Sequence, residues 1–193
     1  MSTTSRGLRV PGDTDDVAGT TRAHATQPRD SVFHRLIATD NRVAGAVARL
    51  TLGLIMFPHA AQKVFGWFGG YGFEGTMGYF TGQLGLPGML GGLVIIVELL
   101  ASLLLIIGAF TRVAALGIVA IMVGAIVTVH ASNGFFMNWY GKQPGEGFEY
   151  HLLAIGLALV IAMLGGGSVS VDRALSLRRG MEGGGVGDPV TRD

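Results

Sequence analysis

The sequence predicts an all-α membrane protein, a bundle of four transmembrane helices with both termini in the cytoplasm. Three observations carry this. Of the 193 residues 49% are hydrophobic and only 14% are charged, against about a quarter charged in an ordinary soluble domain. The charges are segregated into the first ~40 residues, short joints and the C-terminal end. The apolar residues fall into four runs, three of them long, without the apolar–polar alternation of a β-barrel strand.

Met1 to Asn41 is polar and lacks periodicity, so residues 1–41 are expected to be a disordered cytoplasmic tail. Within it, "DSVFHRLIATDNR" reads as a short interfacial helix. The first apolar run begins too late and continues too long for an ordinary signal peptide, although "AGAVARLTLGLIMFPHAA" does end in small residues.

The membrane domain is placed at 42–175, with helices at about 43–65, 88–110, 113–130 and 151–171. The first three runs are long enough to cross ~30 Å of hydrocarbon at ~1.5 Å per residue. The fourth, "HLLAIGLALVIAML", is short and reaches across only with "GGGSVSV" added. A very short joint after Phe110 makes runs two and three a tight hairpin. Small residues four apart, Ala120/Gly124 and Ala154/Ala158/Ala162, are expected to allow close helix packing. The Gly-rich end, 176–193, reads as a second disordered cytoplasmic tail. No internal repeat is visible.

Lys and Arg set the orientation. An N-terminus inside places Arg35, Arg42, Arg112, Arg173, Arg178 and Arg179 in the cytoplasm, against Lys63 and Lys142 outside. Two long connections then face outward, Gly66 to Pro87 and Ala131 to Tyr150. Their Trp67, Tyr71, Trp139 and Tyr140 suit the headgroup layer.

Polar residues inside the runs need a reason, because an ionisable group in hydrocarbon costs about 2.5–3.5 kcal/mol on insertion scales. Arg49 lies six residues into run one and Glu98 ten residues into run two. Counted from opposite ends of the membrane, their depths differ by only about 6 Å. They are expected to form a buried ion pair. His59, Gln62, Lys63, His130, Asn133, Glu149 and His151 all fall at the outer ends of the helices. His59 and Lys63, four apart, share a helix face. This group is the candidate ligand site, for an anion, a quinone headgroup or a metal. The alternative makes it a set of contacts to lipid headgroups.

Several chemistries are disfavoured. There is no cysteine, hence no disulfide, thiolate-bound cluster or thiol relay in this chain. The His and Glu spacings match no short metal signature, and a metal site is not expected. "GGGS" lacks the Lys–Ser/Thr of a phosphate loop. No nucleophile elbow is present, and no basic stripe of the kind nucleic acid requires.

The segments "ARLTLGLIMFPHAAQKVFGW", "GYFTGQLGLP", "VELLASLLLIIGAFTR", "VTVHASNGFF" and "GFEYHLLAIGLAL" succeed one another in an order that resembles the DoxX family of small bacterial membrane proteins. The resemblance runs over roughly Val43 to Leu175. It implies a four-helix, multi-pass protein of the bacterial plasma membrane. Arg49, Lys63, Glu98, Asn133 and Glu149 match the polar positions of the family pattern. Related members serve as the small subunit of thiosulfate:quinone oxidoreductase, and others associate with oxidative-stress enzymes.

The leading expectation is therefore a subunit of a membrane oxidoreductase that meets the quinone pool through an outer polar pocket. Its partners would be the bilayer and redox protein subunits, with quinone as ligand and oligomerisation open. His59 and Lys63 would bond a quinone carbonyl and Glu149 or His151 would exchange protons, with His130 as the floor. Histidine suits that exchange because it titrates near neutrality. The alternatives are a non-catalytic anchor or assembly subunit, and a small-molecule or lipid carrier.

Overall fold

The computed structural model describes residues 43–183. The expected N-terminal tail, its interfacial helix and residues 184–193 lie outside the described residues. Among these residues there are helices and turns and no strand. Helix α1 is Val43–Phe65, α2 is Gly72–Gly78, α3 is Gly88–Ile107, α4 is Thr111–Ala125, α5 is Glu149–Leu164 and α6 is Val171–Gly183. Helix α4 continues through a π-helical turn, Ile126–His130, and a short 3₁₀ turn, Ala131–Asn133.

Three helical stretches are long and apolar enough to cross a membrane: Val43–Phe65, Gly88–Ile107 and Thr111–Asn133. Helix α5 is apolar but has 16 residues, about 24 Å of rise. The four pack as a bundle in which α1 lies against α3 and α5, and α4 against α3 and α5.

Each helix buries a stripe at helical spacing. Along α3 this is Gly91, Ile95, Glu98, Ser102 and Leu105, and along α5 it is His151, Ala154, Ala158 and Ile161. The opposite faces expose Val47, Leu54, Leu93, Ile96, Leu100, Leu103, Ile107, Leu116, Leu153 and Met163. A fold that hides Arg49, Glu98 and Asp172 while exposing a belt of Leu, Ile and Val is arranged for a hydrocarbon solvent.

The register of α1 on α3 is set by Gly53. A Cβ there would lie 3.1 Å from the Ile106 backbone nitrogen and from Leu105 Cβ. With Gly53 level with Ile106, antiparallel counting sets Ala61 level with Glu98. That is 12 residues, about 18 Å, from Arg49. The expected Arg49–Glu98 pair therefore does not form. Depth counted from the start of each apolar run ignores the sliding of α1 along α3, and hydropathy carries no information on that offset.

Arg49 instead reaches the end of the bundle where α3 turns into α4. Its Nε donates to Gly166 O at 2.8 Å, and Nη1 donates to Leu105 O and Ile106 O at 3.0 and 2.7 Å. Nη2 donates to Val169 O. The guanidinium thus satisfies carbonyls that the C-terminus of α3 leaves open, at the end of the helix dipole that favours a cation. Asp172 completes this end. Its carboxylate accepts from Phe110 N (2.8 Å), Thr111 N (3.0 Å) and Thr111 Oγ1 (2.8 Å), and it is 1% exposed. It caps the start of α4 from a distant part of the chain, so α4 begins at Thr111 rather than at 113.

The fourth helix ends at Leu164 instead of running to 171. Gly165 leaves the helix with φ 76°, the chain turns through 166–170, and α6 begins at Val171. Residues 176–183, expected to be disordered, belong to α6.

Candidate functional site

At the opposite end, the long-loop end, the connection Gly66 to Pro87 is structured rather than extended. It holds a 3₁₀ turn, α2, and a π-helical turn at Tyr79–Gln83. It folds over the end of α3, with Phe80 and Met77 3.3–3.4 Å from where a Gly91 Cβ would be. The second connection is held by carboxylates. Glu149 Oε1 accepts from Met137 N at 3.1 Å and Trp139 Nε1 at 3.0 Å, and Glu146 Oε2 accepts from Asn138 N at 2.6 Å.

Beneath these connections, between α1, α3, α4 and the start of α5, lies a cavity of about 600 Å³. Drug-sized ligands occupy pockets of this order, about 300–1,000 Å³. Most of its wall is apolar, including Leu90, Leu93, Val94, Val97 and Ile121. The polar groups are His59, Lys63, Glu98, His130, Tyr150 and His151, with Tyr79, Thr128 and Glu146.

The cavity widens because α3 and α4 diverge. They touch where a Gly117 Cβ would lie 3.2 Å from Val97 Cγ1, whereas two turns on, Gly124 faces nothing within 4 Å. Ala120 and Gly124, expected to bring helices together, instead line this gap. The close packing of α4 uses Ala114, Ala115 and Ile118.

Both π-helical turns border the cavity, through Tyr79 and Phe80 and through Thr128, Val129 and His130. A π turn spends one residue more than an α turn, which rotates the residues beyond it by about 100°. It places His130 Nδ1 2.8 Å from Glu146 O. A carbonyl only accepts, so Nδ1 carries the proton, and Nε2 is the acceptor of the neutral ring. The His130 and His151 ring centroids are 4.1 Å apart with the planes tilted 42°, and the Tyr150 ring lies 6.0 Å from His59 and 5.8 Å from His151.

The centre of the polar group is an ion pair. Lys63 Nζ donates to Glu98 Oε1 at 2.8 Å and to its own helix at His59 O, 3.4 Å. Glu98 is 1% exposed, and its second oxygen, Oε2, has no partner among the described residues. Nor has His151 Nδ1, which is also buried.

Of the ligand residues chosen from sequence, the fold brings together His59, Lys63, His130 and His151. It leaves three outside the cavity. Gln62 donates to Phe68 O at 3.3 Å, Asn133 donates to Glu146 O at 3.1 Å, and Glu149 holds the second connection. Their polarity organises loops. Tyr150 joins the site unforeseen, and Glu98, expected first as the partner of Arg49 and otherwise as a ligand contact, lines it beside Lys63. Tyr150 carries a signal, since it adjoins His151 at the head of a helix; Glu98 is masked by its apparent match in depth to Arg49. Among the described residues no three His, Asp or Glu side chains converge to hold a metal ion.

The described residues are all-α, with three apolar helices of spanning length and a cavity among the helices that holds a polar cluster, which defines a polytopic membrane protein of the small-bundle class. Residues 44–131 match the DoxX family model. It is also similar to a Bacillus subtilis (strain 168) protein described as "Putative oxidoreductase CatD", 29% identical over 113 residues, 58% of this chain and 74% of that one. No solved structure matches.

Proposed function

We propose that the chain is a subunit of a membrane oxidoreductase and that its cavity receives the headgroup of a lipid-soluble quinone. The observation that carries this is the cavity's lining. It is mostly apolar and carries one connected polar cluster, His59, Lys63, Glu98, Tyr150, His151 and His130, which suits a quinone with its ring among polar groups and its tail against hydrocarbon. Gly124 is exposed, lines the cavity and has nothing within 4 Å of its Cβ position, which suits a ligand arriving from lipid between α3 and α4. The name of the Bacillus subtilis relative supports redox work.

In this reading His59 and Lys63 hold one ring oxygen, and the adjoining His130 and His151 serve the other. A quinone that gains two electrons gains two protons, and these histidines carry them. Electrons pass to or from a partner subunit. The long-loop end faces outward, because Arg112, Arg173 and Arg178 sit at the other end of the bundle, in the bacterial cytoplasm. Exposed Trp67, Phe68, Trp139 and Tyr140 favour a second role at that outer face, docking the partner.

The test is recovery of bound ligand. Solvent extraction of gently purified protein should yield quinone near one per chain. His59→Ala should lose it without a change in melting temperature. Wild-type protein yielding phospholipid alone would refute the reading.

A further inference from the structure

The polar cluster of the cavity distinguishes the two redox forms of such a ligand. We infer, on the footing of the quinone reading, that the site is built for the reduced form and binds a quinol more tightly than the matching quinone. A ring hydroxyl would donate to Glu98 Oε2.

The argument begins with the donors and acceptors in place. Glu98 is buried, lines the cavity and is paired through Oε1 with Lys63 at 2.8 Å. A carboxylate so paired is ionised, and both its oxygens can only accept. Oε2 has no donor among the described residues. A buried acceptor without a donor is unfavourable, and the more so when charged. The group that repairs this must bring an N–H or O–H.

A quinone offers only carbonyl oxygens. Set against Oε2, it would place two acceptors face to face and leave the carboxylate oxygen unsatisfied. A quinol offers an O–H at each end of its ring, and an O–H···O⁻ bond belongs to the stronger class. The other unpartnered atom does not favour either form. His151 Nδ1 accepts or donates according to its tautomer, so it can meet a hydroxyl or a carbonyl. Lys63 uses two of its three donors on Glu98 Oε1 and His59 O, and the third can meet a hydroxyl oxygen as well as a carbonyl, so it favours neither form. The unsatisfied oxygen of Glu98 therefore decides the preference.

One charge-assisted hydrogen bond gained corresponds to roughly ten- to hundredfold in affinity. The test is calorimetric titration of the purified wild-type chain, without oxygen, with three short-chain probes: a benzoquinone, its quinol and the quinol's dimethyl ether. The ether keeps the ring and loses both hydroxyl donors, so the comparison does not depend on a Glu98 variant folding. The quinol should bind about ten- to hundredfold more tightly than either of the others. Where Glu98→Gln folds, its amide supplies a donor and the preference should fall to within about threefold. Quinone or ether binding as tightly as quinol would overturn the inference and leave the quinone reading intact. Binding of none of the three would overturn both.

Discussion

Lys63 and Glu98 form an ion pair 2.8 Å long that joins the partly exposed end of α1 to the buried stripe of α3. The pair gives Glu98 a different cation from the one that sequence depth alone suggests. It also divides the two ends of the molecule by task. Arg49 and Asp172 fasten one end through backbone groups, and Lys63 and Glu98 equip the other with charge.

Removing Lys63 should expose the cost of this arrangement. Lys63→Met leaves a buried carboxylate without its counter-charge, a change worth about 3–5 kcal/mol. The melting temperature in detergent should fall, and Lys63→Met with Glu98→Leu should recover much of the loss. Arg49→Met should not behave as a partner of Glu98. A thermodynamic cycle between Arg49 and Glu98 should be additive within about 0.5 kcal/mol.

Arg49→Met should act at the hairpin end instead. It strips hydrogen bonds from Gly166 O, Leu105 O, Ile106 O and Val169 O. Charged hydrogen bonds contribute about 1.5–3 kcal/mol each, so a large loss of stability is expected. Asp172→Ala should cost less, about 1–2 kcal/mol, as the loss of a helix cap. Both should make α6 more sensitive to protease.

Gly108→Ala should be severe for a chain position with so small a change. Gly108 has φ 75°, and a Cβ there would sit 2.5 Å from Ser170 Cβ and 3.0 Å from Arg49 Cζ. Gly124→Leu is the contrasting case, because nothing lies within 4 Å of its Cβ position. Its melting temperature should stay within a few degrees of wild type while extractable quinone falls severalfold.

The absence of cysteine makes topology simple to read. A cysteine at Gly145 should react with an impermeant thiol reagent in intact cells, and one at Arg179 should not. Labelling at Arg179 alone would place the cavity on the cytoplasmic side.

The all-α class was legible because apolar runs of spanning length are a direct consequence of the solvent. The relation of one helix to another was not. The level of Glu98 depends on the contact of Gly53 with Ile106, which leaves no trace in a hydropathy window. His59, Lys63, His130 and His151 could be gathered because topology sends their helix ends to one side. Glu149 and Asn133 were gathered on the same ground, yet both turn toward the loops, and spacing alone does not give side-chain direction at a helix terminus. The π-helical turns that border the cavity have no reliable residue signature, and Asp172, far along the chain, gave no sign that it would cap α4.

Photo-crosslinking tests the central claim most directly. A quinone carrying a photoreactive group on its ring, equilibrated with membranes containing the protein, should label the cavity. Adducts are expected on Tyr150, Val97 and the His130 to His151 region, and Gly124→Leu should suppress them. Adducts confined to lipid-facing positions such as Leu54, Ile96 and Leu153, unchanged in Gly124→Leu, would contradict the account.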